Sequence, residues 1–139
     1  MSAVELQEAV YTALNVPSLT SMLSAQYTLG PIAHGRIQQV DDSGAGAFFP
    51  YVVFTLPTDS GFDSKDMIGN DATIQIDVWS RSNTTEVKAI ADEVFRLIHR
   101  QPLALTGWIT TERTSISFDI DQDGITRRAM LQFRVLALA

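Results

Sequence analysis

Ala72-Thr73-Ile74-Gln75-Ile76-Asp77-Val78-Trp79 runs through the polar stretch Ser80-Arg81-Ser82-Asn83-Thr84-Thr85-Glu86 into Val87-Lys88-Ala89-Ile90-Ala91-Asp92-Glu93-Val94-Phe95-Arg96-Leu97-Ile98-His99-Arg100. In the first part, apolar Ala72, Ile74, Ile76 and Val78 alternate with Thr73, Gln75, Asp77 and Trp79. That period of two describes a strand with one buried face. From Val87 the apolar positions fall at Val87, Ile90, Ala91, Val94, Phe95, Leu97 and Ile98, a period of about 3.6 that defines an amphipathic helix. The run between them is rich in helix-capping residue types. A half-buried strand feeding a one-faced helix is the unit of an α/β or α+β layer.

Upstream, Leu6, Ala9, Val10, Ala13 and Leu14 share one face of a predicted helix over Ala3–Leu14, with Ser2 and Glu5 spaced as a capping box. Pro17 ends it, because the residue before proline is pushed out of the helical region. Ser18–Tyr27 is read as a second short helical turn and Gly35–Val40 as a short strand. Asp41–Ala47 is Gly- and Ala-rich and offers no large core side chain. Val52–Leu56 reads as a strand closed by Pro57. Thr58–Asp71 reads as a polar connection of about fourteen residues, longer than the ~2–5 residues of a hairpin loop. Downstream, a strand over Ile109–Ile120 carries Ile116, Phe118 and Ile120 in alternation. Asp121-Gln122-Asp123-Gly124 is a hairpin turn signal. The last strand, Ile125–Leu138, sets Ala129, Leu131, Phe133 and Val135 against Arg128, Met130, Gln132 and Arg134. Met130, Leu136 and Leu138 add apolar side chains to its nominally polar face, which suggests a covered edge strand. The predicted fold class is α+β: an antiparallel-rich mixed sheet of about four to five strands, with two main helices packed on one face. The 139 residues are expected to form a single domain.

Composition narrows the chemistry. Ten basic residues stand against 16 acidic ones, a net charge of −6, which disfavours binding nucleic acid through a basic face. The absence of cysteine removes disulfides, thiolate metal sites and Cys nucleophiles. No apolar run approaches the roughly 20 residues of a membrane span, and the N-terminus lacks a basic signal-peptide region. The chain is therefore expected to be soluble and intracellular at synthesis, with no membrane partner.

Asp119-Ile120-Asp121-Gln122-Asp123-Gly124 matches the opening of a calcium loop, but its twelfth position would be Met130 rather than a bidentate Glu. The turn reading is preferred and no metal site is assigned. His99 falls in the last turn of the long helix, where it is expected to serve the terminal carbonyls and oppose the dipole. His34 lies in a Gly-Pro-flanked loop. No nucleophile elbow, metal-binding His pair or phosphate-cradling glycine motif occurs, and Asp41-Asp42, Asp63 with Asp66, and Asp92-Glu93 read as solvated surface. Catalytic residues and cofactors are assigned as none. Phe48 and Phe49 beside the glycine-rich stretch, and Phe62, Met67 and Ile68 within the long polar connection, either fold back on the core or anchor another subunit. Interface cores favour such side chains, and these five form the candidate interface.

The order of these segments resembles a known family. An N-terminal helix, Gly35-Arg36-Ile37, Phe49-Pro50-Tyr51-Val52-Val53, Val78-Trp79-Ser80-Arg81, Glu86-Val87-Lys88-Ala89-Ile90-Ala91 and the final Asp121–Arg134 hairpin together are similar to the tail terminator (tail completion) proteins of long-tailed phages and gene transfer agents. The resemblance runs from about Leu6 to Val135. It implies a non-enzymatic virion assembly protein whose copies form a homo-hexameric ring at the tail–neck junction, assembled in the bacterial host cytoplasm. Such a ring would cap the tube of major tail protein, stop its growth and dock to head-completion (stopper) proteins. DNA would pass through the channel without specific binding, and an acidic wall suits that passage. Two alternatives stay open: a head-closure or adaptor protein of the neck, and a non-viral ligand-binding α+β domain.

Overall fold

The computed structural model describes residues 2–23, 32–34, 50–64, 67–81, 83–122 and 124–138. Helix α1 spans Ala3–Leu14 and α2 is the single turn Pro17–Thr20; the strands are β1 (Ile32–His34), β2 (Tyr51–Ser64) and β3 (Met67–Ser80). Helix α3 (Thr84–Ile98) then leads to β4 (Trp108–Ile120) and β5 (Arg127–Leu138). The strands form one mixed sheet in the order β1-β2-β3-β5-β4, parallel only between β1 and β2. The expected α+β class and strand count hold. The expected strand Gly35–Val40, the Asp41–Ala47 stretch and residues 24–27 of the second helical turn lie outside the described residues.

The helices stack on one sheet face and bury it. Ile74, Ile76 and Val78 of β3, Leu131, Phe133 and Val135 of β5, and Val87, Ile90, Ala91, Val94 and Ile98 of α3 form the centre of the core, joined by Leu6, Val10 and Leu14 of α1. Every second residue of β3 from Ala72 to Val78 is fully buried, as the alternation predicts. Helix α3 begins where Asn83 Oδ1 accepts the Glu86 amide at 2.7 Å, satisfying one of the orphan donors of the first turn. Ser2 does the same for α1 through Glu5 N–H at 3.0 Å. The Glu5 carboxylate accepts the Thr106 amide at 2.5 Å, tying α1 to the approach to β4 and holding the Glu5 pKa below its usual value. No helix among the described residues is long and apolar enough to cross a membrane.

Three strand expectations are corrected. Pro57 does not close β2: the strand continues to Ser64, and a register shift between Thr55 and Thr58 absorbs the proline, which has no N–H to give the ladder. The polar connection Thr58–Asp71 is therefore mostly sheet, paired from Thr58↔Thr73 out to Ser64↔Met67. A tract that is polar on both faces gives no alternation to read. Finally, β5 is no edge strand. It lies between β3 and β4, so Met130, Leu136 and Leu138 are half-buried inside the sheet.

Candidate assembly surfaces

Among the described residues, three surfaces stand out, and all three are built from strands. The first is the outer half of the β2–β3 hairpin. Its register sets Phe62 opposite Gly69, and Ile68 and Met67 opposite Asp63 and Ser64. Thr58 and Thr73 share a hydroxyl hydrogen bond of 2.9 Å at its base. Sequence reasoning placed Phe62, Met67 and Ile68 in a loop, whereas the structure puts them on paired strands. Phe48 and Phe49 lie outside the described residues.

The second surface is the sheet face turned away from the helices. Tyr51 stacks on Trp79 with ring centroids 6.2 Å apart, and the Arg128 guanidinium sits 5.2 Å from the Trp79 ring centre. Asp77 is half-buried beside them; burial raises its pKa, opposed by the charge of Arg128 and by hydrogen bonds from Gln75. Burial together with the Asp77 charge pushes the Tyr51 phenol up to about 12. A lateral hydrogen-bonded row crosses the sheet: Ser115 Oγ to Gln132 Oε1 at 3.4 Å, and Gln132 Nε2 to Gln75 Oε1 at 3.4 Å. Nearer the hairpin, Arg134 grips Asp71 with two bonds of 2.7 and 2.9 Å and lowers the Asp71 pKa. Much of the polarity of this face is paired within it, but the Trp79 indole N–H is buried with no hydrogen-bond partner among the described residues.

The third surface is the β4 edge, which sequence reasoning missed. Thr111 alone of its residues is buried; Ile109, Phe118 and Ile120 are 44%, 46% and 57% exposed, and Ile125 in the following turn is 51% exposed. Lys88 of α3 holds its ammonium 5.6 Å from the Phe118 ring centre. The only hint in the sequence was the Thr110-Thr111-Glu112-Arg113-Thr114-Ser115 run, too polar for a strand buried on both sides. Midway along the strand, Arg113 lies 4.9 Å from the Phe95 ring, which stacks on His99 at 4.6 Å. His99 Nδ1 accepts the Arg113 amide at 3.1 Å, so this ring fastens the end of α3 to β4. Across the molecule, an open groove of about 500 Å³ lies between α1 and the β1–β2 edge, lined by Gln7, Glu8, Tyr11, Thr12, Ile32 and Phe54.

At the β4–β5 turn, Asp121 N–H donates to Thr126 O at 2.8 Å and Gly124 N–H to Asp121 O at 2.9 Å. Gly124 takes φ of +74°, a conformation glycine adopts without steric cost. Asp119 and Asp121 spend their carboxylates on the neighbouring Ile120 and Gln122 amides, as in a turn. Asp123 lies outside the described residues. Among those described, no group of three His, Asp or Glu side chains is arranged to hold a metal ion.

A five-stranded sheet with helices on one face, a long β2–β3 hairpin and an edge strand with exposed apolar side chains defines an α+β protein. Comparison with known proteins is specific. Residues 8–137 match the family described as tail completion protein gp17. The chain is 25% identical over 101 residues to the tail completion protein gp17 of Bacillus phage SPP1, covering 70% of this chain and 75% of that protein. Its fold is similar to a chain in the virion of a native gene transfer agent particle, with a TM-score of 0.71, 21% identity, and coverage of 96% and 95% of the two chains. The solved structure of bacteriophage SPP1 gp17 is also similar, with a TM-score of 0.58 and 20% identity over 95% of this chain and 88% of that one. The chain belongs to the tail completion protein gp17 family. That family is one of structural tail completion proteins and not of enzymes.

Proposed function

We propose that copies of this chain, each acting as one domain, form a hexameric ring that caps the tail tube, ends polymerisation of the tube protein and joins the tail to head-completion proteins. The observation that carries this reading is the family match over residues 8–137, nearly the whole chain. A relative of the same fold sits within a gene transfer agent virion, which supports placement of this chain in a particle of that kind. A ring cap needs surfaces rather than a reaction centre, and the β2–β3 hairpin is assigned as one. Phe62, Met67 and Ile68 on that hairpin, with Phe48 and Phe49 before β2, are the proposed contacts to neighbouring subunits or the tube. The net charge of −6 suits a channel through which DNA moves without adhering.

Electron microscopy of assembled particles tests this reading. A six-fold ring of this protein between tube and neck is the expected image; particles with no such ring would remove it. Phe62→Asp should leave the melting temperature unchanged and abolish attachment to the tube end. Unfolding by that substitution would mean that Phe62 belongs to the core and not to an interface.

A further inference from the structure

A closed ring of identical subunits is held by a head-to-tail contact, in which two different surfaces of one protomer are complementary. We propose that these surfaces are the β4 edge, led by Phe118 and Ile120, and the groove between α1 and β1 of the next copy. The inference rests on the ring reading above and specifies how the ring closes.

The register of the sheet carries the argument. Ile32 pairs with Val52, Val52 with Val78, Val78 with Ala129, and Ala129 with Phe118. These five residues form one straight row across the sheet, and residues directly opposite each other project from the same face. Ile32 lines the groove at one end of that row, and Phe118 stands 46% exposed at the other. Among the described residues, β1 and β4 are the two ends of the sheet, four strand spacings or roughly 19 Å apart. In the proposed contact the two ends of this row meet with no shift along the strands. A rotation without translation closes, whereas a stepped contact would climb into a helix.

The chemistry of the two surfaces also matches. Phe118 and Ile120 offer an aromatic and an aliphatic knob, and the groove offers the half-exposed Tyr11 over a floor formed by the buried Ile32 and Phe54. Its volume of about 500 Å³ exceeds that of both knobs together. Lys88 flanks Phe118 on the one surface, and Glu8 lines the other, so the contact pairs opposite charges around an apolar centre. Burying both knobs also removes the largest exposed apolar side chains of the edge strand from water.

The absence of native cysteine makes the test direct. Full-length protein carrying both Thr12→Cys and Ile120→Cys is incorporated into particles, oxidised and run under denaturing conditions. The expected result is a ladder of covalent multimers reaching six, absent from either single variant. Phe118→Asp is expected to keep its melting temperature and to lower incorporation into particles at least tenfold. Rings that persist at the tube end without a ladder, and with Phe118→Asp incorporated normally, would overturn this contact while leaving the ring intact. Particles with no ring of this protein would overturn both.

Discussion

Strands β4 and β5 are neighbours of nearly equal length, paired from Trp108↔Ala137 to Ile120↔Arg127, yet their surroundings differ completely. In β5, Ala129, Leu131, Phe133, Val135 and Ala137 are all fully buried; in β4, Thr111 is the sole buried residue. Both strands place apolar side chains on the helix-covered face. The difference lies in what flanks them. Helix α3 packs over β3 and β5, and β4 reaches beyond its cover. A period-2 pattern thus records that a strand has an apolar face, while the place of that strand in the sheet decides whether the face is hidden.

The contrast is broken most forcefully by truncating an aromatic on each strand. Phe133→Ala, at the centre of β5, is expected to cost about 3–5 kcal/mol by transfer loss and cavity formation. Phe118→Ala on β4 is expected to cost about 0.5 kcal/mol or less, as at other exposed positions. Urea unfolding curves compare the two, and equal costs would mean that β4 is as buried as its neighbour.

The polar face of β5 and the buried point of β4 were not legible in the same way. The β3–α3 unit was clear because two different periodicities meet there within a few residues, and tertiary packing follows both. The central position of β5 was not, since alternation names no partner strand and Met130, Leu136 and Leu138 look alike whether covered by a subunit or by flanking strands. The hairpin beyond Thr58 was hidden by its polarity on both faces and by Pro57, whose cost the bulge absorbs. At the assembly surfaces, Phe62, Met67 and Ile68 attracted notice as apolar residues in a polar tract. Phe118 and Ile120 did not, because inside an alternating strand they look like core.

A second test concerns the single buried point of β4. Thr111 Oγ1 accepts the Trp108 indole N–H at 2.9 Å, and its carbonyl accepts the Arg100 amide at 2.7 Å. Thr111→Val keeps the shape and the backbone bond but removes the indole's acceptor. A loss of about 1 kcal/mol is expected, together with a shifted tryptophan emission; no change would show that this end of β4 is held by the ladder alone.

The smallest effect is expected on the face away from the helices, where Asp77 is paired in register with Met130 of β5. Burial raises the Asp77 pKa above its unfolded value, with Arg128 and Gln75 opposing. The folded chain therefore binds this proton more tightly than the unfolded chain, so the ionised carboxylate weakens the fold at neutral pH. The penalty fades as pH falls through the folded pKa towards the unfolded one. Asp77→Asn should accordingly raise the melting temperature slightly at pH 7, and the gain should vanish under acid conditions. A gain that grows on acidification would reverse this assignment.

The position of β5 also sets a timetable. Its pairing with β3 joins Ser80 to Arg127 across the whole of α3 and β4, a long-range closure whose entropic cost must be met before the contacts reward it. As the chain is synthesised, β4 has no partner until the strand that follows it arrives to fill the gap beside β3. A nascent subunit therefore lacks the completed edge until its last strand is in place. The exposed apolar edge of β4 is thus completed late, after the elements that form the β2–β3 hairpin and the groove beside α1.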